Sequence, residues 1–147
     1  MSNPLPDGYQ LVDGPPSVTD YLELRVRAGL SPKRDDQAAA SLPGSWAACH
    51  VLHDGDDHAV AMGRLIGDGG WYFHVVDMAV LPEHQRRGLG DAVLTELLRH
   101  VQENAPAGAH VNLLADPPGR RLYARHGFID TAPDSIGMAL QLPWARS

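Results

Sequence analysis

Apolar and polar positions along the chain change period several times, and each change marks an element. Residues 71–81, WYFHVVDMAVL, are nearly continuously apolar and interrupted only by His74 and Asp77, which predicts a central strand covered on both faces. Pro82 ends it, because proline cannot donate to a ladder. From Gly88 the period becomes helical: Leu89, Ala92, Val93, Leu97 and Val101 share one face, widened by Leu94 and Leu98. The polar positions Asp91, Thr95, Glu96, Arg99 and Gln102 lie mostly opposite. A strand that feeds a core-facing helix is the unit around which the rest of the chain is organised.

Upstream, residues 9–12 form a short β-like edge piece, and Ser17-Val18-Thr19-Asp20 reads as a capping box. It opens a helix with Tyr21, Leu22, Leu24, Val26 and Ala28 at helical spacing, stopped by Gly29, and Arg25 is expected in a surface salt bridge. Residues 35–42 give a short alanine-rich helix closed by Pro43-Gly44. Residues 45–52 and 58–66 read as strands joined through the turn Asp54-Gly55-Asp56-Asp57, and Asp68-Gly69-Gly70 leads into the central strand. Downstream, residues 109–115 predict a strand and Asp116-Pro117-Pro118 the start of a short helix over 120–126, ended by Gly127. Further strands are expected at 128–129 and 136–142. No internal repeat or low-complexity tract interrupts this order.

At 147 residues, with 44% hydrophobic and 20% charged positions, the chain has the composition of one globular domain over 1–147. No apolar run is long enough to span a bilayer, and the first residues lack the basic and apolar regions of a secretory signal. One cysteine, Cys49, excludes an internal disulfide framework and fits a cytoplasmic location. A net charge of −6 argues against nucleic acid as a partner. His50, His53 and His58 are closely spaced, but they lie on a predicted hairpin without a helical metal-binding frame, so no metal is expected.

Between strand and helix stands Gln85-Arg86-Arg87-Gly88-Leu89-Gly90. A helix start presents unpartnered N–H groups and the positive end of a dipole. Glycines at 88 and 90 remove the Cβ atoms that would hold an anion away, and two arginines add charge; together they make a pyrophosphate seat. A P-loop is excluded by the absence of Gly-Lys-Ser/Thr. A dinucleotide fingerprint fits poorly, because Val93 stands where a third glycine belongs.

The stretch resembles motif A of the GNAT superfamily of N-acetyltransferases, through Gln85, Gly88 and Gly90 in a strand–turn–helix context. Leu122-Tyr123 followed by Gly127-Phe128 resembles that family's motif B. The resemblance implies an α/β fold: a mixed twisted sheet of roughly six or seven strands flanked by about four helices. It implies transfer of an acetyl or short acyl group from acetyl-coenzyme A to a primary amine, of a small molecule or else of a protein; a module that senses acyl-coenzyme A without turnover is a further alternative. It is compatible with a homodimer.

By the same resemblance the cofactor track runs over Met78, Ala79 and Val80, through Gln85, Arg86, Arg87, Gly88, Leu89, Gly90 and Asp91, and on to Asn112, Tyr123 and Arg125. The Met78 backbone N–H would polarise the thioester carbonyl and Tyr123 would protonate the leaving thiolate. The base is open between His74, Asp77 and a water. His74 is the side-chain type suited to proton transfer near neutral pH, whereas Asp77 is a carboxylate in an apolar strand, where burial disfavours its charged form. The loop 30–34 would wall the acceptor site.

Overall fold

A computed structural model describes residues 5–143, which divide into two compact units, one up to Leu113 and one from Leu114 onward. The first unit is a five-stranded sheet in the order β1 (Tyr9–Asp13), β2 (Ala47–His53), β3 (Ala59–Gly67), β4 (Tyr72–Val80) and β5 (His110–Asn112). Three antiparallel pairings are followed by one parallel pairing, β4 with β5. That last pairing requires a crossover, and α3 (Leu89–Asn104) supplies it. α1 (Val18–Arg27) and α2 (Asp35–Ser41) complete the unit, with α1 packed on β3 and β4 and α3 on β2, β3 and β4.

The sequence pattern explains the packing. α3 buries Leu89, Ala92, Val93, Leu94, Leu97 and Val101, the face predicted for it, while Leu98 is half-buried. It sits so close to the sheet that a Cβ on Gly63 would stand 2.7 Å from Val93 Cγ1 and 2.6 Å from Met78 Sδ. Gly63 is therefore what allows helix and sheet to meet there. The turn into β4 is held by Asp68, whose Oδ1 accepts from the N–H groups of Gly70, Trp71 and Tyr72; these bonds pull its carboxyl below the usual range.

The capping box is half formed. Ser17 Oγ accepts from Asp20 N–H at 3.1 Å, but the Asp20 carboxylate turns instead to the Ala59 N–H and to His58, tying α1 to the start of β3. The hydrogen bond raises the His58 pKa.

The second unit holds a 3₁₀ turn (Pro117–Gly119) that runs into α4 (Arg120–Arg125). Among the described residues five strands form rather than the six or seven expected. The segments 128–129 and 136–142 make no ladder among the described residues, and Ile136, Met138, Leu140 and Leu142 are 69–87% exposed. Alternating apolar residues suit a strand, but a strand exists only where a second backbone accepts its hydrogen bonds. The predicted strand 109–115 is likewise shortened to His110–Asn112, the stretch that pairs with β4.

Candidate active site

β4 carries a bulge at its functional centre. Met62 pairs with Ala79 and Arg64 with Val76, so Asp77 and Met78 together stand opposite Gly63 alone. Asp77 has a φ of 58°, a left-handed conformation that asparagine and aspartate tolerate best among residues with a side chain. The inserted residue breaks the strict alternation of faces. His74 pairs with Ile66 and Val76 with Arg64, and Asp77 bonds Arg64, so all of these lie on the α1 side of the sheet, while Met78 lies on the α3 side against Gly63.

Asp77 is the anion of a buried cluster. Its Oδ1 accepts from Arg25 Nη1 at 2.5 Å; its Oδ2 accepts from Arg64 Nε at 2.7 Å and from the Tyr21 hydroxyl at 2.7 Å. All three charged side chains are only 8–9% exposed. The expectation of a surface ion pair for Arg25 is corrected here. Arg25 falls four residues after Tyr21 and one after Leu24, on the buried stripe of α1. Arg25 also donates to the Ser31 carbonyl at 2.9 Å and to Ser31 Oγ at 3.0 Å, which fastens the 30–34 loop to the cluster. Arg64 reaches the Ser41 carbonyl at the end of α2 and Ser45 Oγ in the segment that leads into β2. The Tyr21 pKa is raised, first by burial and next by its hydrogen bond to Asp77, so its hydroxyl stays a donor.

Two cations against one anion leave this buried cluster with an excess positive charge. Sequence reading singled out Asp77 but not Tyr21 or Arg64. The signal for Arg64 was present: a lone guanidinium inside the apolar run of β3 must have a buried partner.

His74 lies at the last paired position of β4 and β5, beside Asn112. Its Nδ1 is 2.5 Å from Asn112 Oδ1, and the amide nitrogen of Asn112 donates to the Tyr72 hydroxyl at 2.6 Å and lies 3.3 Å from His110 Nε2. With its NH₂ committed to these neighbours, Asn112 offers His74 an acceptor. The imidazole therefore carries its proton on Nδ1 and keeps a lone pair on Nε2. Asn112, expected along the cofactor track, is thus engaged through both ends of its amide.

β5 ends at Asn112 whereas β4 continues to Val80, so no described strand pairs with residues 75–80 on that side. The chain then makes a 3₁₀ turn, Pro82–His84, and Gln85 reaches back to donate to the Val80 carbonyl at 3.2 Å. Arg86 and Gly88 are both left-handed, with φ of 63° and 82°, and residues 85–88 are all exposed. Gly88 is the N-cap of α3 and brings no side chain to it; the first helical bond is Ala92 N–H to the Gly88 carbonyl. The N–H groups of Leu89, Gly90 and Asp91 consequently precede the ladder.

In the second unit, Tyr123 is half-buried on α4, with its ring edge-on to Phe128 at 6.1 Å. Its pKa is raised, chiefly by burial and then by the Asp116 charge. A Cβ on Gly119 would stand 2.7 Å from the ring, so the glycine makes room for it. Arg121 and Arg125 are exposed on the same helix. Cys49 is fully buried and burial pushes its thiol up to about 12, which leaves no thiolate for nucleophilic chemistry near neutral pH.

Comparison with known proteins converges on one family. The family model of the acetyltransferase (GNAT) domain matches residues 45–130, more than half of the chain. A structurally similar protein of unknown function from meticillin-resistant Staphylococcus aureus, described as a probable acetyltransferase, is 34% identical over 91% of this chain and 99% of its own, with a TM-score of 0.86. A GNAT-family acetyltransferase from Streptococcus pneumoniae is 23% identical over 93% of this chain and 99% of its own, at a TM-score of 0.72. Glucosamine-6-phosphate N-acetyltransferase from Arabidopsis thaliana shares the fold at 16% identity, 92% and 99% coverage and a TM-score of 0.70. A comparison with curated protein sequences finds no match. The bulged strand, the crossover helix and the glycine turn between them lie inside the matched residues, and the chain belongs to the GNAT acetyltransferase family.

Proposed function

We propose that the protein transfers an acetyl or short acyl group from acetyl-coenzyme A to a primary amine of a small molecule, by direct attack within a ternary complex. The observation that carries this reading is the start of α3: an N-cap without a side chain, left-handed backbone at Arg86 and Gly88, and two exposed arginines. Such a turn suits the pyrophosphate of a nucleotide-bearing thioester. The edge of β4 over Met78, Ala79 and Val80 would take the pantetheine arm, and the bulge would turn the Met78 N–H toward the thioester carbonyl.

In this reading the acceptor attacks as the neutral amine, and His74 Nε2 takes the proton that its nitrogen sheds as the new C–N bond forms. The tetrahedral intermediate then collapses with cleavage of the C–S bond, and the thiolate receives a proton from Tyr123. Burial and the Asp116 charge keep the Tyr123 phenol protonated at neutral pH, the form a general acid must have. Asp77, whose two oxygens are both taken by cluster partners, we assign to holding the bulge rather than to proton transfer. Direct attack is favoured over an acyl-enzyme because the cysteine of the chain is buried and protonated. Cys49, unpaired, is also in keeping with the cytoplasm as the place of reaction.

Two substitutions test the cofactor side. Gly90→Val places a branched side chain among the first N–H groups of α3. It should weaken coenzyme A at least tenfold by isothermal titration, since one anion–amide contact is worth about 1.5–3 kcal/mol. Parental affinity in a folded variant rejects the seat. Tyr123→Phe keeps the ring against Phe128 and Gly119 and deletes only the proton. It should lower kcat about 10²-fold with the thermal midpoint and acetyl-coenzyme A affinity unchanged. A variant with parental kcat returns Tyr123 to a packing role. Thiol release monitored across a panel of small amines, peptide N-termini and peptide lysines identifies the acceptor; no release with any of them would favour a sensor of acyl-coenzyme A.

A further inference from the structure

At the end of the sheet where β1, the β2–β3 turn and the loop before α3 come together, two imidazoles and a carboxylate converge. His53 Nδ1 lies 3.2 Å from Asp56 Oδ2, and His84 Nε2 lies 3.8 Å from the same oxygen. The three donor atoms all fall within 4.8 Å of one another. We propose that His53, Asp56 and His84 form a binding site for a borderline divalent transition ion of the zinc type, which staples the β2–β3 turn to the loop that leads into α3.

Geometry carries the inference. Ligand bonds of about 2.0–2.1 Å in a tetrahedron put donor atoms about 3.3 Å apart, and two of the observed separations, 3.2 and 3.8 Å, bracket that value. The 3.8 Å gap is too long for a hydrogen bond, so His84 Nε2 and Asp56 face each other without one. A cation between them would meet both with small side-chain movements.

The supporting contacts are also those a metal site needs. Tyr9 Oη lies 2.7 Å from His84 Nδ1; with the Nδ1 proton given to the phenol oxygen, Nε2 keeps its lone pair for the ion. The turn fixes the other pair, since Asp56 N–H donates to the His53 carbonyl at 3.0 Å and so holds both side chains on one loop. Tyr9 pairs with His53 across β1 and β2, and their rings are 4.5 Å apart. His84 is 12% exposed at its side chain, whereas Asp56 is 47% exposed, so the site has a protected wall and an open mouth where a fourth, water ligand fits.

Charge agrees with the donor set. Asp54 and Asp57 stand on the same turn as Asp56, which makes the surroundings attractive to a cation, whereas Glu83, next to His84, is already paired with Arg27. Two nitrogens and one oxygen select zinc, cobalt or nickel over the all-oxygen preferences of magnesium and calcium. The spacing alone did not reveal this arrangement, because His84 comes from a different element, one residue before Gln85.

The test uses the full chain without a histidine tag, titrated with zinc chloride in a non-coordinating buffer, and with cobalt chloride followed by its visible absorption. One zinc should bind per chain and raise the melting midpoint, since an ion held by the folded state alone stabilises it. Cobalt should give the intense visible bands of a four-coordinate site. Asp56→Asn, in an exposed turn, and His84→Ala should each abolish the binding that saturates the parent. Tyr9→Phe should weaken it about tenfold, the low end for losing a partner of a metal-bound imidazole, and His58→Ala should leave it unchanged. No saturable zinc binding by the parent overturns the proposal. Parental binding by Asp56→Asn, or equal loss in His58→Ala, does so too, because the zinc would then sit elsewhere.

Discussion

Replacing Asp77 with asparagine is expected to cost the fold about 3–5 kcal/mol, the range for leaving a buried charge without its partner. Asparagine fits the left-handed backbone and the volume of Asp77, so the substitution isolates the charge. What remains is two guanidiniums, Arg25 and Arg64, facing a neutral amide in a space where each is under a tenth exposed. For a chain of this size the melting midpoint should fall by roughly 6–20 °C. Arg64→Met provides the contrast. It removes the excess cation and leaves one cation to one anion, so it should cost clearly less than Asp77→Asn although it deletes more hydrogen bonds. Melting curves on both variants decide the matter. Equal losses would mean that the cluster acts by packing and hydrogen bonding rather than by charge balance. An Asp77→Asn variant that melts like the parent but loses its rate would make Asp77 the base after all.

That cluster also marks the boundary of what the sequence could say. The strand–turn–helix over β4 and α3 was legible because period and punctuation are local: a continuous apolar run, a proline stop, a glycine N-cap and a helical stripe are all contained in residues 71–101. The six α3 residues that bury themselves are those the helical period selects. Arg25 departs from the surface role expected of a charged residue because its position on the helix prevails. Its place on the Tyr21–Leu24 stripe outweighs the preference of a guanidinium for water once Asp77 and Ser31 supply partners. Those partners lie 52 residues away for Asp77 and 6 for Ser31, and only the shorter of the two separations falls within reach of a pattern.

The same distinction explains the strands that did not form. Residues 136–142 have as clear an alternation as β1, but β1 finds Cys49 to His53 opposite it and the later segment finds no ladder among the described residues. Alternation specifies which side chains share a face; it does not specify a partner. For the candidate site, sequence reading placed His74, Asp77 and the glycine turn, and left the base open because face parity through a bulge cannot be counted from residue spacing. The structure supplies that parity through the register change between Met62 and Arg64. The tautomer of His74 was beyond any sequence pattern, since it depends on which atom of Asn112 the Tyr72 hydroxyl occupies.

The tautomer leads to the remaining prediction. If His74 is the base, His74→Ala should lower kcat by about 10²–10⁴-fold, the range for a positioned general base, and should remove the fall in rate on the acidic side of the pH profile. The sign follows from the chemistry: a general base works in its unprotonated form, so a rate that depends on one falls as pH falls. Asn112 is then a positioning residue, and its substitution separates positioning from packing. Asn112→Ala releases Nδ1 and lets the proton move to Nε2, the wrong tautomer, so kcat should fall with little change in the KM for the acyl donor. Asn112→Asp keeps an acceptor on Nδ1 and adds a negative charge that favours the imidazolium. Its acidic limb should therefore move to higher pH while the rate on the plateau survives. pH–rate profiles of the three variants, read beside their melting curves, provide the test. A His74→Ala variant with the parental profile assigns the proton to a water, and an Asn112→Asp variant whose limb stays in place removes Asn112 from the relay.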